Sequence, residues 1–108
     1  MKDISYNKSL SSYSNLTKTQ FTSIDNNFDM TDNGVVTDFS FNLNNNETLA
    51  SYAVIGNRVL DCKTNTDDSG KQHIEFSVSS PEISNLSKIT LYTISKDEKK
   101  YSEIEVTL

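Results

Sequence analysis

The stretch from Ile24 to Leu43 limits the fold more than any other, because it reads as two strands turned back on each other through Asp32-Asn33-Gly34. Asn-Gly in a two-residue loop suits a type I′ turn, which needs φ > 0 at both central positions, a conformation these two residues tolerate. With Asn33 and Gly34 as the loop, Phe28 falls opposite Phe39, Met30 opposite Thr37 and Ile24 opposite Leu43. Val35, Phe39, Phe41 and Leu43 then share a face with Ile24, Phe28 and Met30. A slip of one residue would turn one of those sets to water, so turn chemistry and hydrophobic pattern agree.

Two further hairpins are expected downstream. Leu49 to Ile55 and Arg58 to Lys63 flank Gly56-Asn57, a pair suited to a II′ or I′ turn that sets Ala53 against Leu60 and Val54 against Val59. Apolar residues on both faces of this hairpin predict a central or doubly covered position. Thr64 to Lys71, through Asp67-Asp68-Ser69-Gly70, is a turn cluster. His73 to Ser79 alternates, with Ile74, Phe76 and Val78 inward and His73, Glu75, Ser77 and Ser79 outward. Ser80-Pro81 ends that strand, since proline lacks the N–H a ladder needs, and Pro81 to Asn85 has room for one helical turn. Ser87 to Ser95 and Tyr101 to Leu108 form the last hairpin. With Asp97 to Lys100 as its loop, Ile89 meets Leu108, Leu91 meets Val106 and Thr93 meets Ile104.

The remaining segments are connections. Asn42 to Glu47, with three consecutive Asn, reads as a loop. Leu16 to Thr22 is extended, and Phe21 is out of parity with Ile24, which predicts a bulge or break near Thr22 or Ser23. Residues 1–15 are polar and Ser-rich, a frayed lead-in or an edge strand at Ile4 and Tyr6. The chain therefore divides into this lead-in and a domain over residues 16–108. Six or seven short strands without an amphipathic helix make an all-β sandwich, with Phe39, Phe41, Phe76, Ile89, Leu91 and Val106 meeting between its sheets.

Composition narrows the function classes. At 108 residues the chain fits one domain, and a hydrophobic content of 34% suits half-solvated strands. The net charge of −5 comes with a single Arg, Arg58. Nucleic-acid binding is not expected, because phosphate contacts need clustered Lys and Arg. Lys96, Lys99 and Lys100 are diluted by Asp97 and Glu98 and read as a solvated hairpin tip. Cys62 is alone, so no intramolecular disulfide can form. The longest apolar run, Tyr52 to Ile55, is far below the ~18 residues a membrane-spanning helix needs, and nothing resembles a signal peptide.

Candidate chemistry is sparse. His73 stands on the outer face beside Glu75 and could be half of an acid/base pair, but no second titrating partner is specified, so it reads as a surface histidine. Cys62 has no histidine at a motif spacing and reads as a structural thiol. Asp25, Asn27, Asp29 and Asp32 imitate the opening of an EF-hand loop. Met30 then stands where Gly is required and Val36 where the bidentate Glu belongs. Asp61, Asp67 and Asp68 could form a carboxylate cluster at one end of the sandwich. Weak calcium binding at either place is the minor alternative; no metal, cofactor or catalytic residue is assigned. Asn-x-Ser/Thr triplets start at Asn7, Asn15, Asn46 and Asn85, about the number this composition produces by chance. Tyr52, Tyr92 and Tyr101 either pack at a sandwich edge or project as a platform for carbohydrate or peptide.

The run Phe28 through Thr31-Asp32-Asn33-Gly34 to Phe41, then Tyr52-Ala53-Val54-Ile55-Gly56-Asn57, Ile74-Glu75-Phe76 and Leu86-Ser87-Lys88-Ile89-Thr90-Leu91 resembles a known domain. It is similar to the immunoglobulin-like C-terminal domain of membrane-anchored anti-sigma factors from low-GC Gram-positive bacteria. The likeness spans Leu16 to Leu108 and lies in strand lengths and turn residues; the family's Asp-x-x-Gly between the middle strands is reduced to Gly56-Asn57. It implies an immunoglobulin-like antiparallel β-sandwich on the extracytoplasmic face of the cell envelope. There it would contact a protein or envelope component without catalysing a reaction, while a cytoplasmic part outside this chain holds a sigma factor. The rival expectations are a secreted or surface module for cell-wall polymer or glycan and, least favoured, an enzyme.

Overall fold

The computed structural model describes residues 16–25 and 28–108. The expected lead-in over residues 1–15, with its candidate strand at Ile4 and Tyr6, lies outside the described residues. Within them the chain forms β1 (Thr17–Lys18), β2 (Asp29–Asp32), β3 (Val36–Asn42), β4 (Thr48–Ile55), β5 (Arg58–Thr66), β6 (Gln72–Ser79), a helical turn α1 (Ser80–Ile83), β7 (Lys88–Ser95) and β8 (Lys100–Thr107). Eight strands replace the expected six or seven; the shortest is the two-residue β1, which pairs in parallel with Lys100 and Tyr101 of β8.

Hydrogen bonding links the strands in the order β1-β8-β7-β4-β5-β6-β3-β2. The long β5 makes this ribbon a sandwich. Arg58 to Cys62 pair with β4, whereas Lys63 to Thr66 pair with β6, so the strand passes from one layer to the other. One layer holds β2, β3, β6 and the second half of β5, matching strands A, B, E and D of an immunoglobulin fold. The other holds β8, β7 and β4, matching G, F and C. Between them lie Phe39 and Phe41 of β3 and Ile74, Phe76 and Val78 of β6, facing Ala53, Ile55, Ile89, Leu91, Ile104 and Val106. The six core residues expected from the sequence all belong to this cluster. Rings of Phe39 and Phe76 stack with centroids 4.9 Å apart, and Phe28 lies over Phe41 at the same spacing.

The central hairpin differs from expectation in register. Ile24 does bridge to Leu43, but Met30 pairs with Phe39 and Asp32 with Thr37, so the expected pairs Phe28–Phe39 and Met30–Thr37 are not formed. Polar side chains close the loop one residue later than a type I′ turn would. Asp32 Oδ1 accepts from the Gly34 N–H at 2.8 Å, and Asn33 Oδ1 accepts from the N–H groups of Val35 and Val36. Gly34 sits at φ +91°, and Asn33 is not in the left-handed region. A shift of two residues preserves side-chain parity, so Phe39 and Phe41 still face inward. Val35, placed in the loop, is 72% exposed, and Met30 on the edge strand is 46% exposed, against their expected burial. Gly34→Val should cost about 1–3 kcal/mol, since a β-branched residue is strained at that φ. Urea melts measure it, and an unchanged midpoint would mean that the loop relaxes to negative φ.

The middle hairpin keeps the expected register, with Ala53 opposite Leu60 and Val54 opposite Val59. In the last hairpin Ile89 pairs with Val106, Leu91 with Ile104 and Thr93 with Ser102, again two residues from expectation. Ser95 decides that register. Its carbonyl accepts from the Glu98 N–H and its Oγ from the Lys100 N–H, so the loop spans Lys96 to Lys99. The break near Thr22 and Ser23 is present: Phe21 and Thr22 donate their N–H groups to Ser102 Oγ and Ser23 donates to Asn44 Oδ1, outside any strand. Pro81 stands in the first turn of α1, which a bidentate Arg58–Glu82 pair ties to β5.

Candidate functional site

Strand alternation makes the outer face of the β2-β3-β6-β5 layer polar. Asp38, Ser40, Glu75, Ser77 and Lys63 line a shallow groove of about 460 Å³ there, with β2 as its rim. Two of its carboxylates are engaged: Ser77 Oγ donates to Asp38 Oδ1 at 2.5 Å, and Asn65 Nδ2 donates to Glu75 Oε2 at 3.0 Å.

A second cleft, of about 440 Å³, opens at one end of the sandwich between Asn42 to Asn46 on one wall and Ser69 to Lys71 on the other, with Ile24 and Asp25 at its base. The Asn run builds the first wall. Asn44 Oδ1 accepts from Thr22 Oγ1 and from the Ser23 N–H, both at 3.0 Å, while Asn45 Nδ2 donates to the Phe21 carbonyl and its Oδ1 accepts from the Glu47 N–H. Asp67 builds the second wall. Its Oδ1 accepts from Ser69 Oγ, the Ser69 N–H and the Lys71 N–H. The Ser69 hydroxyl, then His73 and the Lys71 N–H, hold its carboxyl well below the usual carboxylate range.

His73 joins the two walls. Its Nε2 lies 2.9 Å from Asp67 Oδ2 and its Nδ1 2.5 Å from Asn42 Oδ1. The charged partner is thus Asp67, six residues away, and not the adjacent Glu75, which is bonded to Asn65. Two signals point there: the Asp-x-Ser pattern of an Asx turn and the β3–β6 pairing that sets Asn42 opposite His73. Only the first is local.

The other singled-out residues have structural surroundings. Burial pushes the Cys62 thiol up to about 12, so it stays protonated near neutral pH. Asp32 is held below the usual range by the Ser80 hydroxyl and the Gly34 N–H, and Asp97 by the Ser95 hydroxyl and the Lys99 N–H. Asp29 faces Ser40 on the edge strand and Asp61 faces Tyr52; Asn27 lies outside the described residues. Among the described residues, no three His, Cys, Asp or Glu side chains are grouped to hold a metal ion. Tyr52, Tyr92 and Tyr101 do not form an exposed platform. They are buried together with Ile94 on the outer face of the β8-β7-β4 layer, under Leu16, Ala50, Val54 and Val59. Packing, the other expectation for these tyrosines, is what occurs.

The depressed carboxyls set the response to acid. A carboxyl whose folded pKa lies below its unfolded value, near 4, contributes stability that is complete above about pH 4 and is lost as pH falls through the folded value. Urea midpoints should therefore drop steadily below about pH 4. Asp67→Asn should flatten that drop; an unflattened profile would show that the turn is not held by the ionised carboxylate.

The chain matches no protein-family model, no curated protein and no solved structure. No helix among the described residues is long and apolar enough to cross a membrane.

Proposed function

We propose that this domain is a non-catalytic interaction module, the extracytoplasmic part of an anti-sigma factor. The observation that carries the reading is the immunoglobulin-like strand order, which is the fold implied by the sequence resemblance. Because such sandwiches host many unrelated functions, the surface chemistry supplies the second support. Asp97 gives its lone pairs to its own turn, Asp67 to its own turn and to His73, and Asp32 to Ser80 of α1 and to Gly34, while the Cys62 thiol is kept protonated by burial. Carboxylates held by hydrogen bonds within the fold and a buried thiol fit structural roles, which leaves recognition as the better supported reading. The polar sheet face and the end cleft are the surfaces offered to a protein or envelope component.

The test is deletion of this domain from the full-length parent in its host, followed by transcription from promoters of the cognate sigma factor under envelope stress. A raised basal level or a lost induction is expected. Unchanged basal and induced transcription would overturn the regulatory reading. The second reading, a secreted or surface glycan-binding module, is favoured by one feature, the amide-rich cleft with Lys71 on its wall. Co-sedimentation with purified cell-wall polymer, reduced by Lys71→Ala, would select it.

A further inference from the structure

The single histidine of the chain bonds to oxygen atoms on both sides. Asp67 Oδ2 meets its Nε2 at 2.9 Å and Asn42 Oδ1 meets its Nδ1 at 2.5 Å. Amide and carboxylate oxygens only accept hydrogen bonds. An imidazolium has an N–H on each ring nitrogen and satisfies both partners at once, whereas a neutral imidazole keeps one N–H and its other nitrogen becomes an acceptor. Asn42 can follow that change, because a half-turn of its amide presents Nδ2–H to the bare Nδ1. Asp67 cannot, since the Ser69 hydroxyl and the Lys71 N–H keep it an acceptor. The proton that leaves is therefore the one on Nδ1.

We infer that His73 is a proton-operated switch that decides whether Asn42 offers its NH2 group or its carbonyl oxygen to the end cleft. Asn42 lines that cleft. With His73 protonated, Oδ1 is occupied by the ring and the NH2 group is left for the cleft. With His73 neutral, the NH2 group is occupied and the oxygen is left. One wall position changes from donor to acceptor without a backbone movement, and a bound ligand must supply the opposite group. The charged groups on the surrounding elements are Asp25, which lines the cleft and donates its N–H to the Asn42 carbonyl, Asp67, Asp68 and Lys71 on the turn, Glu75 on β6 and Lys63 on β5. Asp67 is bonded to the ring. The inference rests on hydrogen-bond geometry and holds for any partner of the domain.

The experiment is a pH series by NMR on the full chain, following the His73 ring nitrogens through their own transition together with the Asn42 side-chain NH2. The NH2 resonances of Asn42 should move along the same curve as the imidazole, and the ring nitrogen shifts above that transition should report a protonated Nε2 and a bare Nδ1. In His73→Gln the Asn42 NH2 resonances should stay still over the same range. Asn42 resonances indifferent to the imidazole, or a neutral ring protonated on Nδ1, would overturn the switch. The wild-type tautomer decides the matter even if the Gln variant does not fold.

Discussion

Replacing Phe41 by alanine should lower the free energy of unfolding by about 3–5 kcal/mol, enough to leave a domain of ordinary stability largely unfolded. Phe41 is fully buried, and its ring lies 4.9 Å from that of Phe28, 6.1 Å from Phe39 and 5.9 Å from Phe76. Truncation removes both the buried area and the shared member of three ring contacts, each of which adds roughly 0.5–1.5 kcal/mol beyond area. Phe41 belongs to the cluster between the two layers, so the cavity opens at their interface. Urea denaturation of the purified chain measures the loss. A cooperative melt at a near wild-type midpoint would show that the aromatic stack does not hold the layers together.

Ile94→Ala should cost about 2–5 kcal/mol, although the residue lies outside the space between the layers. Ile94 has no exposed surface and packs with Tyr52, Tyr92 and Tyr101 in a second cluster on the outer face of β7. The rings of Tyr92 and Tyr101 sit 6.2 Å apart at 42°. A loss below about 1 kcal/mol, the usual range of a surface substitution, would mean that this cluster is a solvated face and would restore the tyrosines as a binding platform. The same melt on Val59→Ala, at the half-buried rim of the cluster, serves as the comparison and should give a smaller loss.

How much of the candidate site was legible varies by residue. The outward position of His73 followed from alternation, because side chains along a strand change sides at every residue whatever the strand packs against. Its partner did not follow. Glu75 is nearer in sequence but points along the same face of β6, while Asp67 is carried to the ring by the β5–β6 turn and Asn42 by the neighbouring strand. The EF-hand likeness of Asp25, Asn27, Asp29 and Asp32 is broken in the sequence itself, by Met30 and Val36. Asp32 caps Gly34 and Ser80, and the edge strand places Asp29 opposite Ser40.

By itself the sequence determined which residues face which side, since hydrophobic alternation is local and a two-residue slip leaves it unchanged. It determined where the chain reverses, because Gly34, Gly56 and the Ser80-Pro81 pair act on their own backbone. Only the tertiary structure decided the registers of the first and last hairpins, where the side chains of Asp32, Asn33 and Ser95 close the loops with hydrogen bonds that residue identity alone does not rank against a standard turn. It also decided that β5 serves both layers and that the outer face of β7 is covered. Burial depends on what lies opposite: Tyr92 and Tyr101 sit on the two strands of one hairpin, but Tyr52 reaches them only because β4 pairs with β7, which sets Tyr52 against Tyr92, a long-range pairing that no local pattern encodes.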